Sequence, residues 1–250
     1  MDTRRLNYLR ALDIDVWVPR DAASETADAM HASELPVNEQ PRASIAEHAS
    51  ETRVASAGAA TMTWDALEQA VRTCTLCSLH KTRTNTVFGV GNRTSEWMVI
   101  GEAPGADEDR QGEPFVGRAG QLLNSMLKAL GHPREQVFIA NILKCRPPGN
   151  RDPQPQEVEC CSPYLSRQIE LVNPRIILCV GRIAAQTLLN TDTPIGKLRG
   201  KVHTLGKRPV VVTYHPAYLL RSPAEKRKAW QDLVLALETH ARLPREGSRA

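Results

Sequence analysis

The stretch GEAPGADEDRQGEPFVGRAG, Gly101 to Gly120, decides how this chain is read. It follows an apolar run, Trp97-Met98-Val99-Ile100, that predicts a buried strand, and it feeds a periodic run from Arg118 to Leu130 that predicts a helix. Within it lie five carboxylates (Glu102, Asp107, Glu108, Asp109 and Glu113), five glycines and one aromatic residue, Phe115. A loop at the carboxyl end of a strand, opening into a helix, is where open α/β sheets hold their ligands. Carboxylates so crowded repel one another, and a helix dipole favours only some of them. Such a stretch is poor scaffold and a sensible site, although a solvated acidic loop with turn glycines has the same composition.

Working outward, further buried strands are predicted over Val137 to Leu143 (with its exit), Arg175 to Val180 and Pro209 to Tyr214. Helices are predicted from Trp64 to Arg72 with Thr63 as N-cap, from Gln156 to Val172, over 182–190, and from Pro223 to Arg242. Gly131 and Pro133 end the helix begun at Arg118. The segment up to Pro155 holds four prolines and is read as irregular, as is 192–203. This alternation predicts an α/β fold, three-layer α/β/α, with a central, mostly parallel four-stranded sheet. Strand ends then gather Glu102, Asn141, Gly181 and His215 at one edge.

The chain has 250 residues, enough for one large domain or a domain with an appendage. Residues 1–60 carry six arginines against ten carboxylates, whereas the remainder holds 26 basic and 18 acidic residues. The basic part permits a phosphate-bearing partner without demanding one. Residues 4–17 predict a short amphipathic helix, and 21–60, rich in Ala, Ser, Thr, Glu and Asp without hydrophobic period, predict a disordered linker. Residues 1–60 are thus an N-terminal extension and 61–245 the folded domain. No apolar run reaches the roughly 18 residues needed to span a bilayer, and the N-terminus opens no signal peptide. A soluble, cytoplasmic protein without membrane attachment is expected. The absence of a Gly-x4-Gly-Lys-Ser/Thr loop argues against an ATPase.

Six cysteines in a cytosolic chain are unlikely to pair as disulfides. Cys179 lies inside an apolar strand and reads as core. Cys74 and Cys77 form a metal-type pair, and Cys145 with one of Cys160 or Cys161 can complete a four-sulfur shell for zinc or an iron–sulfur cluster. Their wide separation makes that shell a staple.

The set Cys-x2-Cys, HKTRTNTVFGVGN (80–92), GEAPGADED (101–109), PFVGRAGQLL (114–123), NILKCRPPGNRDP (141–153) and HPAYLLR (215–221) resembles the family 4 uracil-DNA glycosylases over about residues 64–240. The resemblance implies excision of uracil from DNA by hydrolysis of its N-glycosidic bond, starting base excision repair. It implies a [4Fe-4S] cluster on Cys74, Cys77, Cys145 and a fourth cysteine. Family spacing favours Cys161, with fifteen residues between it and Cys145, over Cys160. It also implies a pocket of Glu102, Ala103, Glu108, Phe115, Asn141 and His215.

The residue types suit that reaction. Phe115 can stack on an extruded base, or serve as a core plug. The Asn141 amide presents a donor and an acceptor, the complement of uracil O4 and N3–H, where cytosine presents the opposite pattern; without the motif it would read as a strand-end turn residue. His215, otherwise a surface or capping residue, and a backbone N–H at 102–104 can hold charge developing on uracil O2. Glu102 and Glu108 are both candidates for handling water. Leu219 and Leu220 read as an exposed wedge for the gap left by the flipped nucleotide, or as an ordinary buried helix start. Lys144, Arg146, Arg151, Lys197, Arg199, Lys201 and Arg221 would neutralise DNA phosphates. A monomer acting on uracil-containing DNA is expected, with the extension free to recruit a protein partner. A non-catalytic iron–sulfur DNA-binding module would explain the cysteines and the charge but leave the pocket residues idle. A glycosylase for another deaminated base is a further alternative.

Overall fold

The structure, a computed structural model, describes residues 58–244; the helix expected over 4–17 and the linker through residue 57 lie outside it, as do residues 245–250. Four of its strands are the predicted ones: β2 (Trp97–Gly101), β3 (Phe138–Asn141), β4 (Ile176–Val180) and β6 (Arg208–Thr213). They run parallel in the order β3-β2-β4-β6. The sheet has six strands rather than four. Val90–Gly91 (β1) and Val202–Leu205 (β5) add antiparallel edges beside β3 and β6. Two residues are too few to show a period, and β5 is half solvated, with Val202 44% exposed, so neither edge has a strand's apolar pattern.

Alternation along the central strands divides the core in two. Met98, Ile100, Phe138, Ala140, Ile177, Cys179, Val210 and Val212 face one way and pack on α4 (Pro155–Val172). Trp97, Val99, Ile139, Ile176, Leu178, Val180 and Val211 face the other, against α3 (Arg118–Ala129) and α8 (Lys226–Arg242). Both faces are covered, which gives the predicted three layers. A small third cluster joins α1 (Trp64–Arg72) to Phe88 and Tyr164. Thr63 caps α1 as expected, its Oγ1 accepting from the Ala66 N–H at 3.4 Å.

Three short helices went unpredicted: α2 (Ala106–Gln111) inside the acidic stretch, α6 (Ile195–Leu198), and α7 (Pro216–Arg221). None is long enough to show a helical apolar period. Helix α5 (Arg182–Leu188) follows β4, and a 3₁₀ turn at Pro223–Glu225 precedes α8. Among the described residues no helix is long and apolar enough to cross a membrane.

Arg199, expected at a phosphate, is instead structural. Its guanidinium donates twice to the Asp232 carboxylate, both at 3.0 Å, and also bonds the Lys228 carbonyl, tying the turn before β5 to α8. Asp232 is fully buried and accepts further from the Gly200 N–H. Removing one partner of a buried pair strands the other charge. Arg199→Ala is expected to lower stability by about 3 kcal/mol, read as a reduced urea midpoint; an unchanged midpoint would refute the structural assignment.

Candidate functional site

The parallel order sets Asn141, Glu102, Gly181 and His215 along one edge, each at or just past the carboxyl end of its strand. Gly101 and Asn141 are direct register partners. A β-carbon on Gly101 would lie 2.4 Å from Asn141 Oδ1 and 2.6 Å from the Phe115 ring, so only glycine lets these groups meet. Phe115 stacks on His215, with ring centroids 5.6 Å apart at 28°. Asn141, Phe115 and His215 thus converge over Gly101.

Asn141 is 3% exposed, and its Oδ1 finds no hydrogen-bond partner among the described residues. An unpaired buried oxygen costs about 1–3 kcal/mol. Beneath it, Lys144 donates to the Asn141 carbonyl at 2.8 Å and to Gln168 Oε1 at 2.7 Å, and Gln168 Nε2 donates to the Phe88 carbonyl. Lys144 is 1% exposed, and burial lowers its pKa to about 8. The expectation that Lys144 meets DNA phosphates is therefore overturned: its ammonium is spent inside, fixing the backbone that carries Asn141.

Phe115 is buried at φ 55, a left-handed conformation that costs a non-glycine residue roughly 1–3 kcal/mol. It is held there from three sides. Arg134 donates to the carbonyls of Pro114 (2.6 Å) and Phe115 (3.3 Å). Glu108 Oε1 accepts from the N–H groups of Val116 (3.0 Å) and Gly117 (3.3 Å), while Oε2 accepts from Gly105 (3.1 Å). Gly120 leaves room where a β-carbon would lie 1.8 Å from the Phe115 carbonyl oxygen. Asp109, also buried, accepts from Thr84 and Asn85 and anchors α2 to the preceding segment.

The two candidate carboxylates differ. Both Glu108 oxygens are occupied by the loop backbone. Glu102, half-buried beside Ala103, makes no side-chain hydrogen bond among the described residues. Burial raises its pKa, Asp152 raises it further and Arg182 opposes them. His215 caps α7: its Nδ1 accepts from the Ala217 N–H at 3.1 Å, which leaves the ring proton on Nε2. Burial, assisted by Arg221 and opposed by Glu108, lowers its pKa to about 4, so it is neutral at physiological pH.

On the outer rim, Arg221 is exposed and Arg146 and Leu220 are half-buried, with Arg146 Nε bonded to Asn150 Oδ1 at 2.8 Å. Leu219 is not a wedge. It is 1% exposed within the core, because the unpredicted helix α7 turns it inward and presents Tyr218 instead, 37% exposed. Arg151 is likewise committed, in a two-pronged pair with Glu157 at 2.5 and 2.9 Å. A cleft of about 760 Å³ lies elsewhere, lined by Arg72, His80, Arg83, Asn85, Phe88 and Glu113 among others. Asn141, Phe115, His215 and Glu102 all lie outside its lining, so chemistry rather than volume marks the site.

The cysteines gather on the sheet face covered by α4. Burial raises the Cys77, Cys145 and Cys161 thiols, and neighbouring sulfurs add to it: Cys74 acts on Cys77 and Cys145, and Cys145 and Cys77 act on Cys161. The Lys144 backbone N–H faces Cys161, and Arg83 Nη1 donates to Cys145 Sγ at 3.1 Å. Cys160 Sγ donates instead to the Leu76 carbonyl at 3.3 Å. Cys179 is fully buried in β4, as expected. No three His, Cys, Asp or Glu side chains among the described residues form a group able to hold a single metal ion. A cluster of several irons asks for sulfurs that are spread wider than one ion does.

Sequence reasoning missed Arg134, Gly120 and Gln168, which support the site from a distance, and Lys144's inward role. Only Gly120, the last residue of the acidic stretch, stood inside the segment singled out.

The family model described as the uracil DNA glycosylase superfamily matches residues 88–234. A type-4 uracil-DNA glycosylase of Archaeoglobus fulgidus is 50% identical over 167 residues, 64% of this chain and 84% of the relative. Type-4 uracil-DNA glycosylases of Thermotoga maritima (44% over 158 residues; 62% and 82%) and Saccharolobus solfataricus (46% over 177 residues; 67% and 82%) are also similar to this chain. Matched by that family model over more than half of its length and sharing this much sequence with three such enzymes, the chain belongs to the uracil-DNA glycosylase superfamily, among its type-4 members.

Proposed function

We propose that the chain excises uracil from DNA by hydrolysing its N-glycosidic bond, leaving an abasic site, and that Asn141, Phe115, His215 and Glu102 divide the work. The observation that carries this reading is the buried Asn141 amide, whose Oδ1 lacks a partner among the described residues. An extruded uracil supplies that partner through N3–H, and Asn141 Nδ2 donates to O4. Cytosine turns an acceptor toward Oδ1 and a donor toward Nδ2, and a site built on these bonds rejects it. Phe115 stacks on the base, a contact worth about 1–3 kcal/mol.

As the C1′–N1 bond breaks, its electron pair moves to the uracil and charge accumulates on O2. The neutral His215 donates to that oxygen from Nε2, with its orientation fixed by the Ala217 N–H. Glu102 faces the developing sugar cation, stabilises it, and takes a proton from the water whose oxygen bonds to C1′. Glu108 is a positioning residue, because its oxygens are already committed. Arg146, Leu220 and Arg221 border the DNA strand. The acting unit is the 61–245 domain as a cytoplasmic monomer, with residues 1–60 an appendage available to a partner; a family match over residues 88–234, which lies within that domain, supports the division.

Cys74, Cys77, Cys145 and Cys161 would hold the [4Fe-4S] cluster that the resemblance implies, and their all-sulfur donor set fits it. Bound there, it supplies cross-links between the segment before the sheet, the exit of β3 and α4.

Three outcomes test these assignments. A labelled oligonucleotide with one uracil is expected to break after alkali, and its thymine counterpart to remain intact; Gly101→Ala should reduce excision at least about 100-fold with the circular dichroism unchanged. Excision by Gly101→Ala at the wild-type rate would refute the pocket. His215 stays uncharged until pH falls toward its value of about 4, so rate against pH should show no step near 6.5 from this group. His215→Ala should cost roughly 100-fold across that range. Cys161→Ala should lose iron and sulfide while Cys160→Ala retains both; the reverse result would move the fourth ligand to Cys160.

A further inference from the structure

Strand β2 lies between β3 and β4, so the loops leaving those neighbours can meet above its end, where Glu102 sits. They do meet. Asp152, in the proline-rich loop after β3, accepts from Arg182 Nη2 at 2.7 Å, and Arg182 is the first residue of the helix after β4. Each partner is itself anchored. Arg151 donates to the Asp152 carbonyl at 3.0 Å and is held by its pair with buried Glu157, whose Oε2 also accepts from the Gln154 N–H. Arg182 donates to Gln186 Oε1 at 3.3 Å within its own helix.

An ion pair this exposed, at 49% and 65%, contributes only about 0–1 kcal/mol to stability. Stability does not account for so carefully braced a contact. We propose that Asp152 and Arg182 form a positioning latch across the end of β2, shielding Glu102 and setting its charge for the reaction. The inference rests on Glu102 being the carboxylate that handles water. Asp152 and Arg182 are the charged groups that act on Glu102 from the flanking elements, and they act in opposite senses. Removing Asp152's charge makes Glu102 easier to ionise, and removing Arg182's makes it harder.

The test is single-turnover excision by the full-length, cluster-loaded protein at saturating enzyme, so that DNA affinity does not enter, followed over pH 4.5–8 on an approximate half-unit grid. Activity requires ionised Glu102 and falls as pH drops through its raised pKa. Asp152→Asn should move that acid limb to lower pH and Arg182→Gln to higher pH. Near the foot of the limb each differs from wild type by about twofold or more relative to its own plateau. The double variant should return toward the wild-type limb. Limbs that move together, or not at all, would overturn the latch, since a merely structural contact cannot shift the two singles oppositely. Glu102→Gln separates the two claims. If it abolishes excision while the limbs stay put, only the latch fails; if it retains the wild-type rate, the assignment of Glu102 fails and the latch with it.

Discussion

A side-chain amide oxygen buried without a partner among the described residues is a standing cost, and the surroundings of Asn141 are arranged so that it is not relieved from them. Lys144 holds the carbonyl of Asn141 rather than its side chain, and Gln168 holds Lys144. Gly101 keeps the register partner's side chain out of the way. Phe115 closes the far wall in a backbone conformation that needs Arg134, Glu108 and Gly120 to persist. A strained backbone at Phe115 and an unpartnered amide oxygen at Asn141, counted among the described residues, thus lie side by side at the carboxyl edge of the sheet. The parallel ladders make that possible, because they are rigid enough to hold four strand ends in fixed relation.

Two glutamates six residues apart, of identical chemistry, end in different roles because of what surrounds them. Glu108 lies in the first turn of α2, where three backbone N–H groups converge on its oxygens. Glu102 lies directly past a buried strand, with no donor to its carboxylate among the described residues and two opposite charges acting on it. Environment, rather than residue type, separates a carboxylate that shapes a loop from one able to act on water.

The central strands were legible because a parallel strand covered on both faces is a continuous apolar run, and 97–100, 175–180 and 209–214 are such runs. Strand ends followed from strand positions, so the gathering of Glu102, Asn141 and His215 was legible too. What escaped depends on partners remote in sequence. Nothing near Lys144 announces Gln168, and nothing near Arg199 announces Asp232. Basic residues drawn from several loops therefore looked like a phosphate surface when three of them, Lys144, Arg151 and Arg199, were ties within the fold. Leu219 was misjudged for a local reason: α7 spans six residues, too few for periodicity to reveal its inward face.

The ties that hold the first described elements to the body are long ones. Arg167 reaches the Met62 carbonyl, Cys160 the Leu76 carbonyl and Gln168 the Phe88 carbonyl, with separations of 105, 84 and 80 residues. All three donors sit on α4. Closing loops of that size is entropically late, since the cost of closure grows with length. The segment from α1 through Phe88 is synthesised before the sheet, and although Asp109 can tie Thr84 and Asn85 early, its three ties to α4 must wait until α4 has been made. During that interval Leu67, Val71 and Phe88, all buried in the finished domain, lack the cover of Tyr164 and Leu171 on α4, and synthesis rather than the mature fold is when this domain most needs protection from aggregation.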